Sequence, residues 1–257
     1  MKKSILIVSN PGSSSASNYC EGVLVDVKKF KFYFQELYGG AWNESEITCL
    51  NQPKKDLLEY NLGRMEDDYF SIVIFTGHGY TDWSNHLQLE IAPDVDYPAK
   101  KLIHNGRITV FDCCMVVWPE IKPKKDIIQK FATNEAMQMI DRNTVRDLYD
   151  EQIRNCGKQT IALCSCSRGE YSYASSEDGS NYSRSLIEAG ERWHRKYSGG
   201  ESFLDILSAH NMAKNNIDVS EGLQTPQIMC APKGGKGVIY YPFAVNLKCG
   251  DCPGYAG

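Results

Sequence analysis

The chain lacks a long apolar run, a large net charge, an internal repeat and a low-complexity tract. No run in its 257 residues approaches the roughly 18 apolar residues of a membrane-spanning helix, so we expect no membrane partner. The 28 Lys and Arg against 32 Asp and Glu leave a net charge of −4, which argues against nucleic acid as the main partner. Apolar residues make up 42% and charged residues 23%, and these proportions favour an ordered globular chain.

The N-terminal segment also lacks the apolar core of a secretion signal. After Met1-Lys2-Lys3, the apolar run from Ile5 to Val8 is too short for such a core and is more typical of a buried first strand. Without a signal, the 10 cysteines favour free thiols in a reducing compartment over a disulfide framework. We therefore expect a cytoplasmic protein.

Strand-like apolar runs alternate with helical patterns along the chain. Strands separated by helix-length crossovers predict an α/β fold, with a mostly parallel central sheet and helices on both faces. The predicted strands are Ile5–Val8, Ile47–Leu50, Ile72–Phe75, Ile108–Phe111 and Thr160–Cys164. The predicted helices are Val23–Leu37, Pro53–Arg64, Tyr97–Ile103, Val145–Ile153, Tyr182–Trp193 and Phe203–Lys214.

Three stretches depart from this alternation. A small hairpin is predicted around Leu87–Leu89. From Trp118 to Lys158 the pattern predicts either a helical insertion on the surface or a linker between two halves of the fold. Near the end of the chain, Ile228–Cys230 and Val238–Val245 predict two closing strands with a turn at Gly234–Gly237 between them.

Two consecutive predicted strands end in side chains that suit nucleophilic catalysis. The run ending at Phe75 leads into Gly77-His78-Gly79, and the next strand leads into Asp112-Cys113-Cys114. Open α/β sheets form their sites outside the carboxyl ends of the strands, and adjacent strands lie about 4.8 Å apart. We therefore expect a histidine base and a cysteine thiol to meet there, which is the pairing of a cysteine hydrolase.

Each of these residues has a simpler explanation when it is taken alone. His78, between two glycines, could bond a neighbouring carbonyl in a strand-end turn. Either cysteine could pack as a small apolar residue, as free cysteines often do. The occurrence of both motifs at consecutive strand ends favours the catalytic interpretation.

The two motifs resemble those of the caspase-like cysteine peptidases, which include caspases, metacaspases and their bacterial relatives. The residues that carry the resemblance are Thr76-Gly77-His78-Gly79 and Val110-Phe111-Asp112-Cys113-Cys114. The second motif stands where caspases have Q-A-C, with a histidine about 50 residues upstream, and it is closer to the D-x-C of metacaspases. In that register Cys114 is the nucleophile and Cys113 faces the core.

The resemblance implies a single caspase-like domain over residues 1–257, built as a three-layer α/β sandwich. Residues 1–117 would form the large-subunit-like part and residues 118–158 the helical linker or insertion. Residues 159–245 would form the small-subunit-like part, followed by a tail over residues 246–257.

The resemblance also assigns roles to individual residues. Cys114 would attack the substrate carbonyl, His78 would carry the proton, and the backbone N–H groups of Gly79 and Cys114 would form the oxyanion hole. The stretch from Leu163 to Ala174 resembles the strand and substrate-binding loop of the small subunit. The substrate-binding candidates in that stretch are Ser165, Glu170 and Tyr173.

Substrate preference is expected to depend on an acid near the nucleophile. Asp112 stands where metacaspases use a carboxylate to pair a substrate Lys or Arg, and charge-assisted bonds suit such a pair. Glu170 or Asp178 could supply a second acid. Alternatively, Asp112 could cap a turn, or Arg168 could neutralise it. The arginine that caspases place after Tyr-Ser-Trp is missing from Tyr171-Ser172-Tyr173-Ala174, so cleavage after a basic residue is favoured over cleavage after aspartate.

No cofactor and no metal are expected, although some metacaspases require calcium. The acidic stretches Glu66-Asp67-Asp68 and Asp94-Val95-Asp96 are more typical of solvated acids than of a calcium site. Cys249-Gly250-Asp251-Cys252 has no second cysteine pair at zinc-finger spacing and is interpreted as tail.

The resemblance implies a cysteine endopeptidase that performs limited, regulatory cleavage of protein substrates, for example in bacterial cell death or defence. We expect a monomer or a weak homodimer. The lysine-rich stretch over residues 118–158 would suit self-cleavage by such an enzyme. Two alternatives stay open: a catalytically silent caspase-like protein-interaction module, and a hydrolase of esters or thioesters on the same kind of sheet.

Overall fold

A computed structural model describes residues 1–117, 141–195, 202–217, 223–235 and 237–246. The strands are β1 (Lys3–Asn10), β2 (Ile47–Asn51), β3 (Phe70–Thr81), β4 (Leu87–Ala92), β5 (Val95–Pro98), β6 (Arg107–Cys113), β7 (Thr160–Cys164), β8 (Ala174–Ser175), β9 (Gly179–Ser180), β10 (Phe203–Asp205), β11 (Gln227–Cys230) and β12 (Pro242–Val245). The helices are α1 (Gly22–Gln35), α2 (Lys55–Arg64), α3 (Arg142–Cys156), α4 (Asn181–Arg195) and α5 (Ile206–Asn216).

The central sheet has the strand order β11-β7-β6-β3-β1-β2. Neighbouring strands from β7 to β2 are parallel, and β11 joins β7 in the antiparallel sense at the edge. β3 extends beyond the sheet and continues into an antiparallel ribbon with β4 and β5. The mostly parallel sheet that the sequence predicts is therefore confirmed.

Side chains that alternate along the strands supply two apolar clusters, one on each face of the sheet. On the first face, which we call the α4 face, alternate strand residues pack against α1, α3, α4 and α5. On the other, the α2 face, the intervening residues pack against α2 and the β4–β5 ribbon. The strand residues are Ile5, Ile7, Ile72, Ile74, Ile108 and Val110 on the α4 face and Leu6, Val8, Val73, Phe75 and Phe111 on the α2 face.

Three local predictions differ from the structure. The predicted helix Tyr97–Ile103 is instead the end of β5 followed by a short 3-10 turn at Ala99–Leu102. The predicted helix Phe203–Lys214 begins as β10, because Asp205 caps α5 by accepting hydrogen bonds from the first-turn N–H groups. β12 pairs with β10 rather than with β11, so the closing strands form no hairpin with each other.

Two predicted segments are only partly within the described chain. α3 confirms the helix predicted around Val145–Ile153, whereas residues 118–140 of the predicted linker lie outside the described residues. Of the predicted tail over residues 246–257, residues 247–257 with the C-x-x-C motif also lie outside them.

Candidate active site

The carboxyl ends of β3 and β6 bring the two predicted motifs together. The two strands are parallel neighbours, and their last paired residues are Gly77 and Cys113. His78 and Cys114 are the next residue along each strand direction, so they lie at the same rim of the sheet. The sequence predicts that His78 follows the end of a strand. In the structure His78 lies within β3, where it pairs with Glu90 of β4.

The two consecutive cysteines have different surroundings. Cys113 is 1% exposed and packs in the apolar cluster of the α2 face. Burial raises the pKa of the Cys113 thiol well above its ordinary value, so this thiol stays protonated. Cys114 is half-buried at the end of β6. Only Cys114 therefore combines access with a place at the rim.

Main-chain groups of the segment after β7 lie against the Cys114 sulfur. The N–H of Ser172 points to Cys114 Sγ at 3.4 Å, and the Ser172 carbonyl oxygen is 3.7 Å from the same sulfur. The carbonyl can accept from the protonated thiol, whereas the N–H can donate to the sulfur whether or not the sulfur carries its proton.

The end of β1 and the residues after it surround His78. The ring Nε2 of His78 lies 3.4 Å from the carbonyl oxygen of Pro11. A Cβ at Gly12, where φ is +86°, would lie 3.0 Å from that nitrogen. A Cβ at Gly77 would lie 2.5 Å from the carbonyl oxygen of Asn10. Two glycines therefore let the β1 end approach the histidine on both sides.

Gly79, the predicted oxyanion-hole residue, is tightly enclosed. A Cβ at this position would lie 2.7 Å from Cys113 Sγ and 3.1 Å from the Gln88 carbonyl oxygen. The structure thus places Gly79 one residue beyond His78, against the Cys113 side chain and the main chain of β4. A side chain at this position would require Cys113 or β4 to shift.

Asp112 is 2% exposed and lies against the N-terminus of α4. Its Oδ1 accepts a hydrogen bond from the Ser172 hydroxyl at 2.6 Å. Its Oδ2 accepts from the Ser183 hydroxyl at 2.6 Å, from the Ser183 N–H at 3.1 Å and from the Ser180 hydroxyl. Arg168 is exposed, and no described Lys or Arg forms an ion pair with Asp112. Neutral donors therefore satisfy this buried carboxylate.

A second buried acid, Asp26 of α1, was not predicted from the sequence. Its Oδ2 accepts a hydrogen bond from the Thr76 hydroxyl at 2.8 Å, and its Oδ1 accepts from the Ser180 N–H at 2.8 Å. Gly179, with φ +76°, leaves room for it, since a Cβ there would lie 2.2 Å from Asp26 Oδ1. Ser180 thus bridges Asp26 and Asp112. The available signal was a carboxylate at a position that the helical spacing places on the otherwise apolar, core-facing side of α1.

Ser165 and Tyr173, both predicted to bind substrate, lie beside the Cys114 rim. Ser165 is fully buried, and its hydroxyl donates to the Cys113 carbonyl oxygen at 3.2 Å. Tyr173 is half-buried, and its N–H donates to Gln224 Oε1 at 3.3 Å. The hydroxyl of Ser165 therefore supports the main chain, whereas Tyr173 borders the site.

Glu170 and Asp178, the predicted second acids, are engaged within the protein. Glu170 Oε2 accepts hydrogen bonds from the N–H groups of Ser167 at 3.0 Å and Thr225 at 2.7 Å. Asp178 forms ion pairs with Arg184 at 3.5 Å and with Lys29 at 3.8 Å. The structure thus brings Asp26, rather than either of these, next to Asp112.

The described part of the chain contains neither a metal-binding cluster nor a membrane-spanning helix. Within it, no three His, Cys, Asp or Glu side chains are grouped so that they could hold a metal ion. Asp68 accepts from the Ser4 hydroxyl and pairs with Lys2 at 3.0 Å, and Asp96 accepts from the Tyr80 hydroxyl at 2.7 Å. None of the described helices has both the length and the apolar character needed to cross a bilayer.

A parallel sheet that carries a histidine and a cysteine on neighbouring carboxyl ends, covered by helices on both faces, defines a caspase-like α/β fold. Residues 2–233 match the caspase domain, so the chain belongs to the caspase domain family of cysteine peptidases. The structure is similar to the crystal structure of caspase-1 from Spodoptera frugiperda, with a TM-score of 0.56 and 12% sequence identity. That match covers 89% of this chain and 86% of the other, and at this identity it shows the fold alone. No curated protein sequence matches the chain.

Proposed function

We propose that the chain is a cysteine endopeptidase in which Cys114 is the nucleophile and His78 carries the proton. The observation that supports this most strongly is the register of β3 and β6, whose last pair, Gly77 and Cys113, directly precedes the two residues. Burial of the Cys113 thiol supports the choice of Cys114.

The reaction proceeds in two steps. The Cys114 sulfur attacks the scissile carbonyl carbon as His78 holds the thiol proton, and His78 then gives this proton to the leaving amine as the C–N bond breaks. Water next attacks the thioester, with its proton passing to His78 and back to the departing sulfur. The contact of Nε2 with the Pro11 carbonyl oxygen at 3.4 Å would help to hold the imidazole ring at the rim during this transfer.

The N–H groups of Gly79 and Cys114 would stabilise the negative charge that forms on the substrate carbonyl oxygen when the sulfur attacks. Backbone donors of this kind act best when they are fixed before the reaction. The close contact between Gly79 and Cys113 supports such rigidity.

The Asp26–Asp112 pair supports cleavage after Lys or Arg. Asp112 is buried, and its donors among the described residues are neutral, so a cation brought in by the substrate would supply an opposite charge. One of these four donors faces Oδ1 and three face Oδ2, so Oδ1 retains a lone pair. A substrate ammonium or guanidinium would donate to Oδ1 or to a serine hydroxyl oxygen and interact with the carboxylates through its charge.

The test uses peptides that differ only in the residue before the scissile bond. Cys114→Ala and His78→Ala should each lower kcat by at least about a thousandfold, whereas Cys113→Ala should retain most activity. Peptides with Lys or Arg at that position should be cleaved faster than those with Asp. Loss of activity in Cys113→Ala alone, or a preference for Asp, would contradict the proposal.

The biological role that we propose is limited, regulatory cleavage of a partner protein, as in bacterial cell death or defence. Self-cleavage within residues 118–158 would suit a preference for Lys or Arg, because the first half of that stretch is lysine-rich. We expect a reaction without a cofactor, and a calcium chelator should therefore leave the cleavage rate unchanged.

One observation favours the alternative of a silent interaction module. The main chain of Ser172 lies against the Cys114 sulfur and would have to share this space with a substrate. Labelling by a peptide with an electrophilic group and a basic residue separates the two functions. A peptidase is labelled at Cys114, whereas a silent module binds the peptide without forming the covalent bond.

A further inference from the structure

One buried amide, that of Gln224, connects the two parts of the proposed site. Gln224 is 3% exposed and stands in the segment between α5 and β11. Its Nε2 donates to the Ser165 carbonyl oxygen at 3.1 Å and to the Ser172 hydroxyl at 3.3 Å. Its Oε1 accepts from the Tyr173 N–H at 3.3 Å. The amide therefore ties residues 172–173 to the end of β7.

The chemistry of the partners determines which end of the amide faces which group. A backbone N–H can only donate, so the atom facing Tyr173 is the amide oxygen. A carbonyl oxygen can only accept, so the atom facing Ser165 is the amide nitrogen. The Ser172 hydroxyl accepts from that nitrogen, and its own hydrogen is therefore directed to Asp112 at 2.6 Å.

Ser172 contacts the nucleophile as well as the acid. Its N–H lies 3.4 Å from Cys114 Sγ, while its hydroxyl reaches Asp112 Oδ1. A shift of this one residue would change both the donor to the sulfur and the orientation of a hydroxyl in the specificity pocket. Gln224 holds Ser172 through its side chain and holds the following residue through its N–H.

We propose that Gln224 is a positioning residue that fixes Ser172 against both Cys114 and Asp112, and so couples the reactivity of the thiol to the recognition of a basic substrate residue. The part that concerns the substrate rests on the proposed peptidase function. The part that concerns the sulfur does not, because it can be measured without a substrate.

The test compares Gln224→Met with Gln227→Met. The two glutamines lie three residues apart, and the exposed side chain of Gln227 donates, among the described residues, to the Ser167 hydroxyl and the Thr225 carbonyl oxygen. Methionine keeps the length of the side chain and removes its donors and its acceptor. Gln224→Glu adds a second comparison, because the carboxylate keeps the acceptor for the Tyr173 N–H and loses the donors.

The first measurement is the rate of Cys114 alkylation by iodoacetamide, followed by mass spectrometry, near pH 7 and near pH 10. The rate near pH 7 divided by the rate near pH 10 is insensitive to a change in access to the thiol, because access changes both rates equally. This ratio therefore reports how the Ser172 N–H donor affects the formation of the thiolate. We expect Gln224→Met and Gln224→Glu to lower this ratio by about two- to tenfold and Gln227→Met to leave it unchanged.

The second measurement is kcat/KM for matched peptides with lysine or its uncharged N-acetyl form before the scissile bond. We expect the preference for lysine to fall by about two- to tenfold in Gln224→Met. An unchanged ratio and an unchanged preference, with only a lower melting temperature, would overturn the proposal in favour of a structural role. If the wild-type protein cleaves no peptide, the peptidase proposal fails, and the alkylation ratio still decides the role of Gln224.

Discussion

Two buried charged groups at opposite ends of the parallel strands, Lys3 and Asp112, have different kinds of partners. At the amino end, Lys3 of β1 lies 2.5 Å from Asp150 of α3 and 4.3 Å from the ring centroid of Trp42. Burial lowers the pKa of the Lys3 ammonium, and the nearby Asp150 acts in the opposite direction. Beside this pair, Arg146 forms an ion pair with Glu46 at 2.7 Å. Asp150 and Glu46 therefore each have a basic partner.

At the carboxyl end, the buried acid next to the proposed nucleophile, Asp112, is bonded by neutral donors. Asp112 is satisfied by serine hydroxyls and one N–H group, and Asp26 accepts from a threonine hydroxyl and a backbone N–H. Neutral donors stabilise a carboxylate without cancelling its charge. Lys3 at the amino end therefore has its counter-charge within the fold, whereas Asp112 at the carboxyl end is suited to receive a cation from outside.

The largest expected effect comes from a substitution at the amino end of the strands. Asp150→Asn leaves Lys3 buried without its counter-charge, so we expect a loss of about 3–5 kcal/mol in the free energy of unfolding, measured with urea. Activity per folded molecule should stay the same. The control is Asp147→Asn, which changes an exposed acid of the same helix. Equal stability in both variants would mean that the pair adds nothing to the fold.

The matched change at the carboxyl end is Asp112→Asn. Loss of the charge should reduce the preference for lysine over its uncharged analogue by about ten- to a hundredfold, the size of a charged hydrogen bond. Because no described cation is left unpaired, the stability should change less than in Asp150→Asn. A variant that retains the full preference for lysine would remove the distinction between the two ends.

His210, a buried group that is uncharged near pH 7, extends the comparison to the pH dependence of stability. Burial lowers the pKa of His210 to about 4, and its Nδ1 lies 2.7 Å from the Tyr182 hydroxyl oxygen. Between this pKa and the unfolded value of about 6.5, only the unfolded chain binds the proton. Stability should therefore fall as the pH is lowered through this window, by about 2 kcal/mol at pH 5.

The measurement for His210 is urea unfolding near pH 7 and near pH 5. His210→Asn removes the titrating group, so this variant should lose less stability on acidification than the wild-type protein does. An identical loss in both proteins would assign the pH dependence to other groups.

The smallest expected effect concerns Asp26. Asp26→Asn should reduce the preference for lysine by about two- to fivefold, because Asp112 remains and still attracts the cation. The double variant with Asp112→Asn should be less selective than either single variant. If Asp26→Asn affects stability alone, then Asp112 determines the preference without help from α1.

Much of the fold could be predicted from the sequence because its pattern is local. The runs at Ile5–Val8 and Thr160–Cys164, together with the helical spacing around Val145–Ile153, indicate strands and helices without knowledge of the rest of the chain. The pairing of His78 with Cys114 at one rim was also predictable, since consecutive crossovers place strand ends on the same edge.

Residues whose role depends on distant partners were not predictable in this way. Asp26 lies 86 positions before Asp112 in the chain, and only the packing of α1 and α4 onto the sheet brings both acids to Ser180. Glu170 and Asp178 looked equally suitable as second acids, but their own neighbours engage them. Sequence spacing carries no information about such competition.

The sequence alone determined the class of the fold, the order of its strands along the chain and the two strand ends that carry sulfur and imidazole. These depend on hydrophobic periodicity and chain connectivity, which the order of neighbouring residues in the sequence determines. The tertiary structure alone decided which acids lie beside the rim and which amide holds Ser172. Those choices depend on burial and hydrogen bonding between segments that are far apart in the chain, and such contacts exist only after the sheet and its helices have assembled.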